Sequence, residues 1–125
     1  MSTRFFDPSE RLPAFDENAF NEHELEIMID MVRESSFSDD FTGVSIEDRL
    51  TGLFGGEPPE WVGFQSLDGT CYVNCYGREA GENQDDIDLQ FELSDDLNEF
   101  LLTAMRINGE QQDEMVITTF EGQFR

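Results

Sequence analysis

The clearest pattern in the chain is a stretch of helical periodicity. Apolar residues recur every three or four positions between residues 22 and 35, the spacing that places side chains on one face of a helix. Asn21 stands at the N-cap position with Glu24 three residues on, a pair that satisfies free amides at a helix start. The pattern predicts a helix from Glu22 to about Ser35. Its broad apolar face would include Leu25, Met28, Ile29 and Val32.

A second, shorter helix is predicted after a polar stretch. Ser45 is a favourable N-cap residue, because its hydroxyl oxygen can accept a hydrogen bond from a free amide of the first turn. Gly55 and Gly56 supply the left-handed conformation in which many helices end. The pattern therefore predicts a helix from Ile46 to Phe54.

Two alternating segments, residues 61–67 and 70–76, predict a β-hairpin around Asp68-Gly69. Asp-Gly is a favoured pair for a two-residue turn, and this turn would place Phe64 opposite Val73. The alternation then assigns the side chains to two faces. The apolar face would carry Val62, Phe64, Cys71, Val73 and Cys75, and the other face Trp61, Gln65, Tyr72, Asn74 and Tyr76.

The remainder of the chain predicts a strand, a helix and a last strand. Ile87 to Leu93 alternates apolar and polar residues, as a strand with one face in solvent does. Ser94 is a favourable cap for a helix that Asn108-Gly109 would end, and apolar residues at 97, 100, 101, 104 and 105 would form its buried face. Met115 to Phe120 follows as a strand.

The order of these elements indicates an α+β fold. We expect a mostly antiparallel sheet of about four strands with helices packed on one face, in the order α-α-β-β-β-α-β. Residues 1–19 form an irregular arm interrupted by prolines, with Phe5, Phe6 and Phe15 as its anchors. Residues 20–125 form a single α+β domain, and a chain of this length can bury a core of its own.

The charge of the chain sets it apart from an ordinary globular domain. It has 29 acidic residues, 7 arginines and no lysine, so its formal net charge is −22 on 125 residues, yet 38% of it is hydrophobic. Such an imbalance destabilises a compact chain through self-repulsion, so it favours a function that uses the charge. A basic protein partner is expected, whereas direct binding to nucleic acid or to an anionic membrane is disfavoured.

The sequence favours a cytoplasmic protein. Its first residues lack a long apolar run behind a basic start, and no stretch approaches the roughly 20 apolar residues of a membrane span. The two cysteines, without a secretory signal, fit free thiols in a reducing compartment.

No set of residues predicts catalysis, a metal or a cofactor. Cys71 and Cys75 lie about 13 Å apart along one strand, too far for a disulfide or for shared ligation of zinc, and we expect buried free thiols. His23, the only histidine, lies in the first turn of a helix, where the helix dipole disfavours its charged form. The acidic loop 81–88 lacks the order of calcium ligands in an EF-hand. We therefore expect no enzyme activity and no cofactor.

Carboxylates along the third strand form the candidate partner-binding surface. Asp86, Asp88 and Glu92 would project from one face, at steps of about 6.7 Å for each two residues, close to the span of two phosphates along DNA. Neighbouring acids would extend this surface on both sides, and three aromatic residues would add apolar contact. The acidic candidates are Glu82, Asp85, Asp86, Asp88, Glu92, Asp95, Asp96 and Glu99, and the aromatic candidates are Trp61, Tyr72 and Tyr76.

These features favour a non-enzymatic inhibitor that mimics nucleic acid. In size and charge the chain resembles small acidic phage or plasmid proteins that block restriction or CRISPR effectors. That resemblance implies a partner with a basic DNA or RNA channel, such as a defence nuclease complex, and action in the host cytoplasm if a phage encodes the chain. Carboxylates would compete for the channel and speed association.

Two other functions remain open. One is a toxin-immunity protein or secretion chaperone that shields a partner polypeptide, since the predicted order of one helix, three strands, a helix and a strand is similar to that of type III secretion chaperones. The other is a domain of a halophile, in which acidity adapts the surface to salt. The broad face of the first helix also leaves a homodimer open.

Overall fold

The computed structural model of the protein describes residues 5–13, 16, 19–37, 42–82 and 84–124. A short 3-10 turn covers Pro8–Glu10. The helices are α1 (Glu22–Glu34), α2 (Ile46–Leu53) and α3 (Glu114–Gly122), and the strands are β1 (Glu60–Gln65), β2 (Cys71–Arg78), β3 (Asp86–Leu93), β4 (Phe100–Ile107) and β5 (Glu110–Gln111).

The five strands form one antiparallel sheet in the order β1-β2-β3-β4-β5, so each strand pairs with its neighbour in the chain. Side chains of all three helices join one core on a single face of this sheet, among them Val32, Leu50 and Phe120. The predicted α+β class, with helices on one face of an antiparallel sheet, is confirmed. The sheet has five strands instead of about four, and the element order is α-α-β-β-β-β-β-α.

Both predicted helix starts in the first half of the chain are confirmed. The side chain of Asn21 accepts a hydrogen bond from the Glu24 amide at 2.8 Å, and Glu24 accepts one from the Asn21 amide. Ser45 accepts a hydrogen bond from the Asp48 amide at 3.1 Å. Beyond α2, Gly55 and Gly56 have φ angles of +72° and +95°, the conformation that ends a helix.

The last two predicted elements of the chain are wrong. Residues 100–107 form a strand, β4, where a helix was expected. A β-bulge leaves Thr103 opposite no residue of β3, and because it breaks the alternation of apolar and polar residues, the strand was not recognised in the sequence. Asn108 and Gly109 form the turn between β4 and β5, with φ angles of +53° and +82°. Residues 114–122 form a helix, α3, where a strand was expected, and Asp113 caps it by accepting a hydrogen bond from the Val116 amide.

The predicted hairpin is present, but its register is shifted by one residue. The loop holds three residues, 67–69, and Phe64 lies opposite Tyr72 instead of Val73. Asp68 stabilises this loop by accepting hydrogen bonds from the Ser66 hydroxyl and the Thr70 amide. Because a shift of one residue exchanges the faces of a strand, the predicted apolar face is wrong for β1. Phe64 and Val62 share a face with Tyr72, Asn74 and Tyr76, and Trp61 and Gly63 face the helices.

The N-terminal arm covers the face of the sheet that carries no helix. The Phe6 amide donates to the side-chain oxygen of Gln90 at 3.0 Å, and the Phe6 carbonyl accepts from the Gln90 side chain at 2.7 Å. The Phe6 ring stacks on Tyr72 with 5.2 Å between centroids. Phe5 is buried, and the Arg106 guanidinium lies 4.0 Å from the centre of its ring. The third expected anchor, Phe15, lies outside the described residues.

Candidate protein-binding surface

The acidic side chains that the structure describes lie outside the core. The buried polar residues among the described positions are Ser66, Asn74 and Gln90, and none of them carries a charge. Carboxylates instead occupy exposed or partly exposed positions on every helix, on β1, β3 and β5, and in the connecting loops. The negative charge of the described residues therefore belongs to the surface of a packed domain.

Several arginines are held by carboxylates of the chain itself. Arg33 pairs with Asp30 at 2.8 Å, and Arg78 pairs with Asp86 at 3.0 Å. Arg106 is bound on two sides, by Asp88 at 2.9 Å and by Asp7 of the arm at 3.2 Å. These pairs place the positive charges beside acids, so they do not form a basic patch.

The predicted row of carboxylates on β3 is interrupted at its centre. Asp86, Asp88 and Glu92 do share a face, but this is the face that the arm covers, and Gln90 between them is buried. Asp88 is partly buried beside Arg106. Burial raises the pKa of Asp88, although the charge of Arg106 and its hydrogen bond act in the opposite direction. Asp88 is therefore engaged within the fold and is not presented to a partner.

The remaining candidates divide into two acidic ends of the sheet. Asp86 and Glu92 are six residues apart on one strand, a distance of about 20 Å. Asp86 lies beside Arg78 of β2, whereas Glu92 lies beside Tyr72 of β2 and Leu101 of β4. We call the two groups the first acidic end, which comprises Glu82, Asp85 and Asp86, and the second acidic end, which comprises Glu92, Asp95, Asp96 and Glu99.

The first acidic end is ordered by Asn108. The Asn108 side chain donates to Asp85 at 2.9 Å and accepts from the Asp86 amide at 2.9 Å. Asn108 can do this because its positive φ angle turns β4 sharply into β5 beside the start of β3. Asn108 thus holds the Asp85 carboxylate at the start of β3, next to the Asp86 carboxylate, which is paired with Arg78.

Glu92 of the second acidic end lies on β3, whereas Asp95, Asp96 and Glu99 lie on the loop between β3 and β4 and not on a helix as predicted. Ser94 organises the loop: its hydroxyl donates to Asp96 at 2.7 Å, and its oxygen accepts from the Glu99 amide at 3.1 Å. The hydrogen bond from Ser94 lowers the pKa of Asp96. Leu101, an exposed residue, lies opposite Glu92 on the neighbouring strand.

The three aromatic candidates serve the fold more than the surface. Tyr72 is only 4% exposed and lies beneath Phe6. The Tyr76 hydroxyl accepts a hydrogen bond from Asn74 at 2.9 Å, and the Trp61 indole donates to Glu47 at 3.2 Å. Tyr72 is therefore inaccessible while the arm is in place, and Trp61 and Tyr76 are only partly exposed.

A groove beside α3 was missed in the sequence. It has a volume of about 570 Å³, and its apolar residues come from α2, β3, β4 and α3. Met115, at the mouth of the groove, is 77% exposed. The sequence did contain a signal for the helix that forms one side of the groove, because Ile117, Phe120 and Phe124 have helical spacing. To predict this helix, Asp113 also had to be recognised as its N-cap. The apolar lining is Leu53, Ile87, Met105, Ile107, Val116 and Phe120.

The two thiols are buried and free, as predicted. Burial raises the pKa of Cys71 to about 11 and that of Cys75 well above its ordinary value. Both thiols are thus protonated at neutral pH and poor nucleophiles. His23 lies exposed in the first turn of α1. Within the described residues there is no group of three or more potential ligands that could hold a metal ion.

In the part of the chain that the structure describes, the helices are too short or too polar to cross a membrane. Comparison of the chain with protein-family models, with curated proteins and with solved structures found no match. The function of the protein is therefore argued from the charge, burial and contacts of its own residues.

Proposed function

We propose that the protein is a non-enzymatic inhibitor that binds a basic nucleic-acid-binding protein and occupies the channel meant for DNA or RNA. Its partner would be a defence nuclease of the restriction or CRISPR kind, or another DNA-binding protein, met in the cytoplasm. One observation carries the proposal. The chain has a formal charge of −22, its described carboxylates lie on the surface of a packed fold, and Arg33, Arg78 and Arg106 are each bound to carboxylates.

The fixed positions of carboxylates in the two acidic ends support this proposal. Asn108 holds Asp85 and the backbone of Asp86, and Ser94 holds Asp96, so these carboxylates lose little freedom on binding. The ends are separated by about 20 Å, roughly the length of six phosphate steps along one DNA strand. Two ordered acidic groups at that separation suit a basic channel better than one acidic patch would.

The test is displacement by DNA at constant ionic strength. The protein is immobilised and incubated with a host lysate cleared of nucleic acid, and bound proteins are eluted with duplex DNA or with polyglutamate of equal charge. We expect the partner to leave with DNA more readily than with polyglutamate. The purified partner should then lose DNA binding in the presence of the protein. A partner that stays bound in excess DNA, or that binds DNA equally well in the complex, contradicts mimicry.

Variants of the two acidic ends provide a matched comparison. Glu82→Gln, Asp85→Asn and Asp86→Asn neutralise the first end, and Asp95→Asn, Asp96→Asn and Glu99→Gln neutralise three of the four acids of the second. Each triple variant removes three charges. If the protein spans a channel, each should weaken inhibition, whereas neutralising three exposed acids of α1, Glu22, Glu24 and Glu26, should weaken it much less.

Shielding of a partner polypeptide, as by a toxin-immunity protein, is the second candidate, and the apolar groove beside α3 favours it. In that case the partner should resist elution by DNA and dissociate when the groove is changed. The similarity to secretion chaperones no longer supports this candidate, because the element order on which it rested differs from the five consecutive strands of the sheet.

A further inference from the structure

The groove beside α3 combines an apolar floor with an acidic margin. Ile87, Met105 and Phe120 are buried side chains that meet at its base. Glu79 lines one side, and among the described residues no basic side chain lines the groove. Glu114, exposed at the start of α3, precedes Met115 at the mouth. The basic residues nearest in the chain, Arg78 and Arg106, are both paired with carboxylates.

The position of the groove joins it to the first acidic end. Ile87 and Ile107, which lie opposite each other on β3 and β4, both line it. Asp86 directly precedes Ile87 but projects from the opposite face of the sheet. The segment from Glu79 to Asp85 closes on itself through a hydrogen bond of 2.8 Å between the Glu79 amide and the Asp85 carbonyl. A molecule seated in the groove therefore has the Glu79 carboxylate beside it.

We propose that the groove binds a cationic amphipathic helix of the partner protein. Apolar side chains of that helix would contact Met105, Val116 and Phe120, and its lysines or arginines would lie near Glu79 and Glu114. Binding of an amphipathic helix in an apolar groove is a recurrent mode of recognition, and exposed methionines such as Met115 adapt to varied side chains. This inference rests on the proposed function, because it names how a basic partner is held.

Charge complementarity selects this occupant over the others. A second copy of the chain would bring a surface with a charge of −22 against an acidic margin. Nucleic acid and anionic lipid are repelled for the same reason. The volume of about 570 Å³ falls in the range of roughly 300–1,000 Å³ of small-molecule sites, so a small apolar ligand is an outcome that the test must separate.

The test uses three synthetic peptides of about 18 residues, five helical turns. One is an amphipathic helix of leucine and lysine, the second has glutamine in place of lysine, and the third keeps the lysines but has serine in place of leucine. We expect the first to bind, with NMR shifts of the Leu53, Ile87 and Thr119 amides, and both others to bind at least about tenfold more weakly. Equal binding of the serine peptide shows that charge alone acts, and equal binding of the glutamine peptide shows a purely apolar site. Either result overturns the proposal.

Two variants with exposed side chains locate the site without threatening the fold. Met115→Gln should weaken the leucine-lysine peptide about tenfold, because it removes apolar contact at the mouth of the groove. Ile27→Gln, on α1 at a position 56% exposed, should leave binding unchanged. Equal effects of the two variants, or NMR shifts confined to α1, overturn the proposal.

The outcome is separable from that of the proposed function. Suppose that the Met115→Gln variant still binds and inhibits a partner that DNA can displace. The inference about the groove then fails, and mimicry stands. If the peptide binds as expected but DNA never displaces the partner, the groove stands and mimicry fails.

Discussion

Gln90 and Asn74 form a hydrogen bond of 2.8 Å between their side chains inside the molecule, on neighbouring strands of the sheet. Both residues are fully buried. Gln90 also binds both the amide and the carbonyl of Phe6, and Asn74 donates to the Tyr76 hydroxyl. This network satisfies polar groups that would otherwise be buried without partners, and it fixes the arm to the sheet.

Gln90→Ala should lower the free energy of unfolding by about 2–3 kcal/mol, because it removes three buried or partly buried hydrogen bonds, two to the Phe6 backbone and one to the Asn74 side chain. Urea unfolding measures the change, and faster hydrogen exchange at the Phe6 amide should accompany it. Gln123→Ala, which removes an exposed amide side chain, should cost less than about 0.5 kcal/mol. A Gln90 variant as stable as the Gln123 variant would show that the network contributes nothing.

Gly77→Ala should destabilise the protein by about 1–3 kcal/mol, since overpacking a core displaces its side chains. A Cβ atom at Gly77 would lie 2.2 Å from the ring of Phe54, which packs against the strand. Gly52 is the control, because a Cβ there meets no atom within 4 Å. Gly52→Ala, within α2, should stabilise by about 0.5–1 kcal/mol. Thermal unfolding of the two variants should move in opposite directions.

Asp88 predicts a dependence of stability on pH. Burial raises its pKa in the folded state, so between the ordinary pKa, about 4, and the raised value the folded protein binds more protons than the unfolded chain. The stability that Asp88 contributes is thus greatest below about pH 4 and is lost as the pH rises through the folded-state pKa. Relative to Asp88→Asn, the wild type should become less stable across that window.

The measurement for Asp88 is the difference in unfolding free energy between the wild type and the Asp88→Asn variant at a series of pH values. Taking the difference cancels the titration of the other carboxylates. A difference that grows in favour of the wild type with rising pH would mean that the attraction of Arg106 outweighs burial, against this prediction.

Salt should stabilise the protein by screening repulsion among its carboxylates. The Debye length falls from about 30 Å at 0.01 M to about 3 Å at 1 M, so the melting temperature should rise across that range. Circular dichroism should still report folded protein at the low end, whereas a domain adapted to a halophile would be unfolded there. The triple variant Glu26→Gln, Glu99→Gln and Glu110→Gln removes three negative charges, and its melting temperature should depend less on the salt concentration.

Local signals in the sequence sufficed for the first two helices and for β3. Asn21 and Ser45 cap the helices as expected because a cap depends only on residues three positions away. Strict alternation on β3 correctly placed Ile87, Leu89 and Phe91 toward the core. Alternation did not reveal that the polar face of β3 is also covered, because the covering arm comes from a distant part of the chain.

Failures in the sequence interpretation have physical causes that the pattern of apolar and polar residues does not show. Because of the bulge at Thr103, Leu102 and Met105 both face the core although they are three residues apart, a spacing that is typical of a helix. In the hairpin, the hydrogen bonds of Asp68 to Ser66 and Thr70 favour a three-residue loop over the expected two-residue turn. For α3, packing of Phe120 and Phe124 around Phe37 outweighs the strand preference of the segment.

Within the candidate surface, the sequence predicted which residues are acidic but not which are occupied. Asp88 resembles Asp86 in a sequence pattern, yet Asp88 is partly buried beside Arg106 and beneath the arm, whereas Asp86 is exposed and pairs with Arg78. The groove beside α3 depends on four elements meeting, including one whose type was wrongly predicted.

The covering arm also imposes an order on assembly. Phe6 binds Gln90 across 84 positions of the chain, and Asp7 binds Arg106 across 99. Contacts of such long sequence separation form late, because the intervening chain must first be closed into a loop. During synthesis from the N-terminus, the arm emerges first but has no docking site until β3 and β4 exist. We therefore expect one face of the sheet to stay open to solvent until β3 and β4 have been made, and a nascent molecule at that stage is exposed to misassembly.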